Sequence, residues 1–401
     1  MTESPMQSQQ LQLLAQESTP DDLWDEVCTL NWIRSPKWPR FPSKSAPKLR
    51  FVDLFSGCGG LSLGVLEVAR VLRLHPEIAL AADNAEAMFS VYRRNFARWL
   101  ETACCDDIRN VTAGEIGSKL TQRERALRDT CGELDLVVAG PPCQGHSDLN
   151  NRTRRHDPRN SLYLHAVRFV EVARPRAVMI ENVPTAVHAL EKVVDDAETA
   201  LAQMGYCTES VFSNAGDVGL AQKRKRHFLV AAEPRLGSVA EQLAARRVLP
   251  ATLDTYIKDI EEEWLERKGL FFQPSRMTAQ NRKRVDYLFG NGAHDLPDSE
   301  RPPCHRNKKH SYRSVYGRLR WDTPAQTLTS GFGSMGQGRY VHPSQRRVIT
   351  PHEAARIQGF PDFFDFSLTE KRTALHTMIG NAVPPRLGAS VILALLTCLQ
   401  R

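Results

Sequence analysis

Nine cysteines lie at positions 28, 58, 104, 105, 131, 143, 207, 304 and 398, and no two of them form a C-x-x-C pair. An odd, scattered set argues against both a zinc ribbon and a disulfide framework, so no metal is expected and most of these thiols read as reduced core residues. Long apolar runs are also lacking. The most apolar stretch, Leu387–Leu399, is thirteen residues, too short to span a bilayer as a helix, and reads as a buried core helix. The opening MTESPMQSQQ has no basic residue ahead of an apolar run and no small-residue cleavage site, so no secretory leader and a cytoplasmic location are expected. No G-x-x-x-x-G-K-[ST] element occurs, which disfavours a bound triphosphate. There is no internal repeat.

What remains is ordinary globular composition: 401 residues, 41% hydrophobic and 25% charged, long enough for two or three domains. Fifty-three Lys and Arg against 46 Asp and Glu give a net charge of +7, which permits a polyanionic partner without requiring one. Residues 1–49 read as an extension and linker. Trp24, Trp32 and Trp38 fall there, and because large aromatics are sparse in disordered tails, part of this arm is expected to pack on something.

From Arg50 the pattern alternates. Apolar strands RFVDLF, EIALAA, LDLVVA, AVMI (177–180), 209–212 and HFLV (227–230) are separated in the first half by helical stretches at 61–72, 85–96, 161–173 and 193–204. Strands divided by helices predict an α/β fold with a parallel, doubly wound sheet, with ligands at the carboxyl ends of the strands. After Ala232 the rhythm stops. A charged helix is expected over 253–270 (LDTYIKDIEEEWLERKGL), followed by basic segments that include NRKR at 281–284 and seven Lys/Arg with no acidic residue between Arg301 and Arg320. Alone, such a run reads as a solvated face. Beside the motifs that follow it reads as a nucleic-acid surface.

Four motifs fall at strand ends. Phe51-Val-Asp-Leu-Phe-Ser-Gly-Cys-Gly-Gly60 closes the first strand and opens a helix, where glycines let a ligand approach the backbone and the helix start offers free N–H groups. Asp83, after the second strand, is placed to accept both hydroxyls of a ribose. In Asp135-Leu-Val-Val-Ala-Gly-Pro-Pro-Cys-Gln144 a rigid turn holds Cys143 at the ligand edge, a nucleophile's position rather than that of a packed thiol such as Cys398. Met179-Ile-Glu-Asn-Val-Pro184 puts Glu181 at another strand end, where a carboxylate is costly unless it serves chemistry or pairs with a base. Gln222-Lys-Arg-Lys-Arg226 places Arg224 and Arg226 on one face beside it.

These segments, in this order, resemble the DNA (cytosine-5)-methyltransferase family. Asp157-Pro-Arg-Asn-Ser-Leu162, Thr327-Leu328, Arg347-Val-Ile-Thr-Pro-His-Glu-Ala-Ala-Arg-Ile-Gln-Gly-Phe-Pro361 and Gly380-Asn-Ala-Val-Pro-Pro385 fit its pattern too. The resemblance runs over 50–230 and from 316 to the end. It implies a Rossmann-like, S-adenosylmethionine-dependent catalytic domain from 50–233 plus 372–401, with a smaller target-recognition domain, 234–371, inserted. By the same resemblance Cys143 adds to C6 of a flipped cytosine, Glu181 acts at N3, Arg226 bonds the base, and Arg224 supports the site or a phosphate. Phe55, Ser56, Gly57, Gly59, Gly60, Leu61 and Pro142 would cradle the cofactor. Asp83 would take its ribose and Asp107 its adenine amino group, while Leu162, Asn381 and Val383 complete the pocket. Gln144, Ser147, Arg152, Arg154 and Arg155 would meet DNA from a loop in which Gly145-His146-Ser147 replaces the family's usual Gly-Phe-Ser.

The expected partner is double-stranded DNA, bound by a monomer with no membrane involved, in a restriction-modification or related defence setting. Two competing readings are kept. One branch of the family methylates transfer RNA, but it carries a Cys-Phe-Thr element where this chain has Gly331-Phe-Gly-Ser-Met-Gly336. An inactive DNA-binding member would have lost the Cys or the Glu, and both are present.

Overall fold

The computed structural model describes residues 29–142, 161–185, 192–260, 266–306 and 314–399. Its strands are β1 (Lys48–Leu54), β2 (His75–Ala82), β3 (Ala103–Cys104), β4 (Leu136–Ala139), β5 (Ala177–Asn182), β6 (Cys207–Asn214), β7 (Gln222–Lys223), β8 (Lys225–Ala232) and β9 (Ala325–Gln326). The first helices are α1 (Leu30–Arg34), α2 (Gly60–Val71), α3 (Glu86–Phe96), α4 (Ile108–Val111), α5 (Gln122–Cys131), α6 (Ser161–Ala173) and α7 (Val193–Gln203). They are followed by α8 (Val239–Ala245), α9 (Leu253–Ile257), α10 (Ala279–Gly290), α11 (Pro351–Gln358), α12 (Arg372–Asn381) and α13 (Pro385–Cys398).

Seven strands form one sheet in the order β3-β2-β1-β4-β5-β8-β6. Alternation along the central strands divides the core between its two faces. Phe51, Leu136, Val138, Ala177 and Met179 join the cluster that α2, α3 and α13 cover. Val52, Leu54, Val137, Ala139, Val178 and Ile180 join the one under α4, α6 and α7. Burial on both faces explains why these strands read as continuous apolar runs.

The sheet is mixed rather than wholly parallel, because β8 runs antiparallel to both β5 and β6. Ten residues, 215–224, separate β6 from β8. A parallel return needs a crossover of a dozen or more residues, usually helical, so the chain turns back instead. The helix expected over 253–270 also differs. Leu253–Ile257 is helical and a turn at 258–259 interrupts the run, while 261–265 lie outside the described residues. Leu253, Tyr256 and Ile257 are buried in the core, while Asp259 turns out to meet Arg34 and Arg356.

Residues from the N-terminal arm do pack. Trp32 is buried edge-on against Phe363, and Trp38 lies 4.4 Å from Phe363 and 5.3 Å from Trp99 between ring centroids. Trp24 lies outside the described residues. The arm therefore bridges the end of α3 and the 360–366 segment. One stretch among the described residues, Arg372–Cys398, is long and apolar enough by composition to cross a membrane, but 83% of its most apolar window is buried inside the protein. Residues 382–384 separate α12 from α13, and α13 is the core helix that its composition implied. A separate small cluster, Val285, Leu288, Leu296, Met335, Val341 and Val348, is built within the 277–348 region.

Candidate active site

The carboxyl ends of the central strands are level. Leu54 pairs with Ala82 and Ala139, and Ala139 with Ile180. Because β8 runs the other way, it begins at this same rim, with His227 opposite Asn182. The turn after β1, Asp83 after β2, Gly140 to Pro142 after β4, Glu181 on β5 and Arg226 on β8 thus open onto one edge, the place where α/β sheets bind ligands.

The turn after β1 holds three left-handed residues within five: Phe55 at φ 57°, Gly57 at 54° and Gly59 at 101°. Phe55 accepts a conformation that side chains rarely adopt, and such strain persists where the surroundings enforce it. A Cβ on Gly59 would lie 2.1 Å from the Phe96 ring, and one on Gly60 only 2.3 Å from the Val383 carbonyl oxygen. At Gly57 an added Cβ would meet nothing within 4 Å, so the turn is packed behind and open in front. The buried Ser56 hydroxyl has no hydrogen-bond partner among the described residues. The carboxylate of Asp83 braces the turn, accepting from the Gly57 N–H and the Ala85 N–H at 2.8 Å each. Burial raises its pKa, against the pull of these two bonds. Each oxygen keeps a lone pair for a ligand hydroxyl.

Beneath the turn lies a polar group that motif spacing did not single out. Ser62 donates to Asp53 at 2.6 Å and shares a 2.7 Å hydrogen bond with the Tyr92 hydroxyl. Burial pushes the Asp53 carboxyl up to about 7. The available signal was an aspartate inside an otherwise apolar strand.

Asp107, expected at the adenine amino group, caps α4 by accepting from the Arg109 N–H and forms a two-pronged ion pair with the Arg109 guanidinium. The Arg109 side chain, through its hydrogen bonds, holds this carboxyl down at about 2. An amino group would share Asp107 with Arg109, whose side chain is exposed. Leu61 and Val383 are buried against the turn, Pro142 and Leu162 are half-buried, and Asn381 ends α12.

Glu181 is nearly buried and pairs with Arg226, Nε to Oε1 at 2.8 Å. Desolvation raises its pKa, while the charges of Arg226 and then Arg224 oppose the rise. A Cβ on Gly140 would lie 4.0 Å from Glu181 Oε2 and 3.8 Å from Leu61, so the Gly-Pro-Pro turn runs between the carboxylate and α2. Arg224 is bound differently from Arg226. It donates to the carbonyls of Leu328 (2.8 Å), Ala382 (3.2 Å) and Asn381 (3.5 Å). Cys143, Gln144, His146, Ser147, Arg152, Arg154 and Arg155 lie outside the described residues.

A sheet of this order, with its ligand rim and glycine turn, has the fold of the Rossmann-like methyltransferases. The family described as C-5 cytosine-specific DNA methylase matches residues 49–397, and the chain belongs to it. It is a DNA (cytosine-5)-methyltransferase whose methyl donor is S-adenosylmethionine. Among its relatives, the Type II methyltransferase M1.BsuMI of Bacillus subtilis (strain 168) is 42% identical over 374 residues, covering 93% of this chain and 85% of that protein. DNA (cytosine-5)-methyltransferase 1 of Mus musculus is 26% identical over 92% of this chain, which spans only 29% of the mouse protein. The solved structure of the S. pombe Dnmt2 methyltransferase superposes with a TM-score of 0.62 at 16% identity, covering 88% of this chain and all of that one. A putative DNA modification methyltransferase from an E. coli prophage gives a TM-score of 0.57 at 24% identity over 88% of this chain and 100% of that one. Both share the fold.

The open turn, the Ser56 hydroxyl without a partner among the described residues and the spare lone pairs of Asp83 fit the hydroxyl- and amino-bearing ends of that donor. Gly60→Ala is expected to weaken binding of S-adenosylhomocysteine, the demethylated product, by about tenfold or more, equivalent to about 1.4 kcal/mol. The added methyl would have to displace the Val383 main chain, which has no flexible end to yield. Calorimetric titration reads this directly, and unchanged affinity would refute the packing argument.

Proposed function

We propose that the chain methylates C5 of a flipped cytosine in one duplex sequence through a covalent Cys143–C6 adduct. The observation that carries this reading is the nearly buried Glu181–Arg226 pair at the strand rim, beside the turn that leads into Cys143. C5 of cytosine is a poor nucleophile. Addition of the Cys143 thiolate to C6 makes C5 enamine-like, able to take up a methyl group. Glu181, kept protonated more readily by its burial, donates at N3 and stabilises the charge that builds on the ring. Arg226 holds Glu181 and bonds the base. When bound, S-adenosylmethionine supplies the electrophilic methyl group. Loss of the C5 proton to a base then expels Cys143 and restores the ring. None of this proceeds on a stacked base, so the cytosine is flipped at a cost of a few kcal/mol, offset by pocket and phosphate contacts.

The catalytic domain is assigned to 50–233 plus 372–401 and target recognition to 234–371, a division supported by the separate cluster around Val285 and Val341. Within the recognition region Arg282, Lys283 and Arg284 lie on α10, suited to positioning the DNA backbone while other side chains read base edges. Gln144, Ser147, Arg152, Arg154 and Arg155 are assigned to DNA as well. Kinship with a bacterial Type II methyltransferase supports a restriction-modification or defence role in the cytoplasm, and a monomer suffices because one flipped base needs one active site. Methyl transfer from labelled S-adenosylmethionine to duplex DNA and, separately, to transfer RNA tests the reading. Conversion sequencing should find methylated cytosines in one recurring motif. Label in RNA alone would move the protein to the transfer-RNA branch, and label in neither would favour an inactive binder.

A further inference from the structure

The hydrogen bonds of the Gln222-to-Arg226 motif reach two segments far apart in sequence. Gln222 is fully buried. Its Oε1 accepts from the Leu328 N–H at 3.0 Å, and its Nε2 donates to Gln358 Oε1 at 2.8 Å and to the Ile357 carbonyl at 3.3 Å. Gln358 in turn donates to the Ala382 carbonyl. Arg224, 2% exposed, holds the Leu328 carbonyl with Nη1 and the Ala382 and Asn381 carbonyls with Nη2. Both polar groups of the Leu328 peptide unit pair are thus taken by side chains of one short segment. The same guanidinium grips the turn after α12, whose next carbonyl, that of Val383, abuts Gly60 of the cofactor turn.

Shape reinforces the link. A Cβ on Gly380 would fall 2.4 Å from the Thr329 carbonyl carbon, and one on Gly333 2.0 Å from the His376 ring. Segment 327–333 therefore lies directly on α12 with no slack. Thr327 also donates to the Lys223 carbonyl, and β9 pairs with β7 immediately before it. A buried guanidinium cannot exchange these carbonyls for water, and removing it would take from the Leu328 carbonyl its side-chain donor. Movement of segment 327–333 and movement of the 381–383 turn consequently share one rigid group.

We propose that Arg224 is a positioning residue that ties the Leu328 end of the recognition region to the Asn381–Ala382 cofactor turn, so that ordering either segment favours order in the other. The proposal rests on the reading of the rim as an S-adenosylmethionine site. Arg224 acts here through main-chain carbonyls, not by touching the base. Coupling of this kind is a reciprocal free energy carried by a contiguous packed network.

The test is amide hydrogen exchange on the full chain, with and without S-adenosylhomocysteine, with binding followed separately by calorimetry. In the native protein the ligand should slow exchange at 327–333 by about fivefold or more, the lower end of typical coupling. In Arg224→Lys, which keeps the charge but not the three-carbonyl fork, the ligand should still bind while that protection is lost. A merely structural Arg224 would lower the melting temperature and leave the ligand-induced protection intact, and that result would overturn the proposal. So would native protein that binds the ligand with no change at 327–333, a comparison that needs no variant to fold. Failure of the native protein to bind S-adenosylhomocysteine at all would instead strike the cofactor assignment.

Discussion

Cys143→Ala is expected to lower methyl transfer on the order of 10^4-fold or more, to background, while duplex binding stays within about twofold of the native value. The thiolate is the one group in the scheme that converts C5 into a nucleophile, and a methyl group at that position cannot add to C6. Binding draws on other contacts, the phosphate contacts of Lys and Arg above all, and these are electrostatic and independent of the thiol. The measurement pairs single-turnover transfer of labelled methyl groups with a gel-shift titration at fixed salt. Turnover retained in the variant would remove covalent catalysis from the account.

Glu181→Gln should lower kcat/KM by roughly 10^2 to 10^4, the span typical for loss of a general acid. The pH profile separates this role from a packing role. Burial raises the Glu181 carboxyl above its ordinary range, and Arg226 restrains the rise. The donor form is therefore present below the folded pKa and lost as pH climbs through it, giving activity an alkaline limb. Arg226→Gln removes the charge that favours the carboxylate, so the pKa rises further and the limb moves to higher pH, even as the rate falls through loss of a contact to the base. Displacement of the limb to lower pH, or none at all, would contradict the assignment.

Much of the catalytic architecture was legible because strand ends announce themselves. Apolar runs stopping at Gly or at an acidic residue placed Phe55, Asp83, Gly140 and Glu181 on one edge before any geometry, and the register of β1, β4 and β5 brings them level. Reversal of β8 was not read, since an apolar strand looks the same in either direction and only the short 215–224 connection bears on it. The charged pattern after Leu253 suggested one unbroken helix, yet a turn interrupts it after Ile257, where Asp259 meets Arg34 and Arg356. Periodicity cannot register a pairing between residues 225 and 97 positions apart.

Arg224 and Arg226 make the same point within one motif. Alternation placed both on one face, and the partners of each were not legible from it. Arg226 meets the Glu181 carboxylate, whereas Arg224 binds carbonyls more than a hundred positions away in sequence. The Asp53–Ser62–Tyr92 group under the cofactor turn was likewise invisible, because its members fall on one strand and two separate helices. For Trp32 and Trp38, composition alone pointed to packing, and the partner, Phe363, comes from the far end of the chain.

The central claim, a covalent bond between Cys143 and C6 of a flipped cytosine, is tested most directly by trapping. A duplex in which the target cytosine carries fluorine at C5 can accept the thiolate and the methyl group but cannot lose a C5 proton, so Cys143 should stay attached. Incubation with S-adenosylmethionine, denaturation, protease digestion and mass spectrometry should give a DNA-linked peptide modified at Cys143. Absence of any linked species, or linkage at one of the other eight cysteines, would contradict the mechanism.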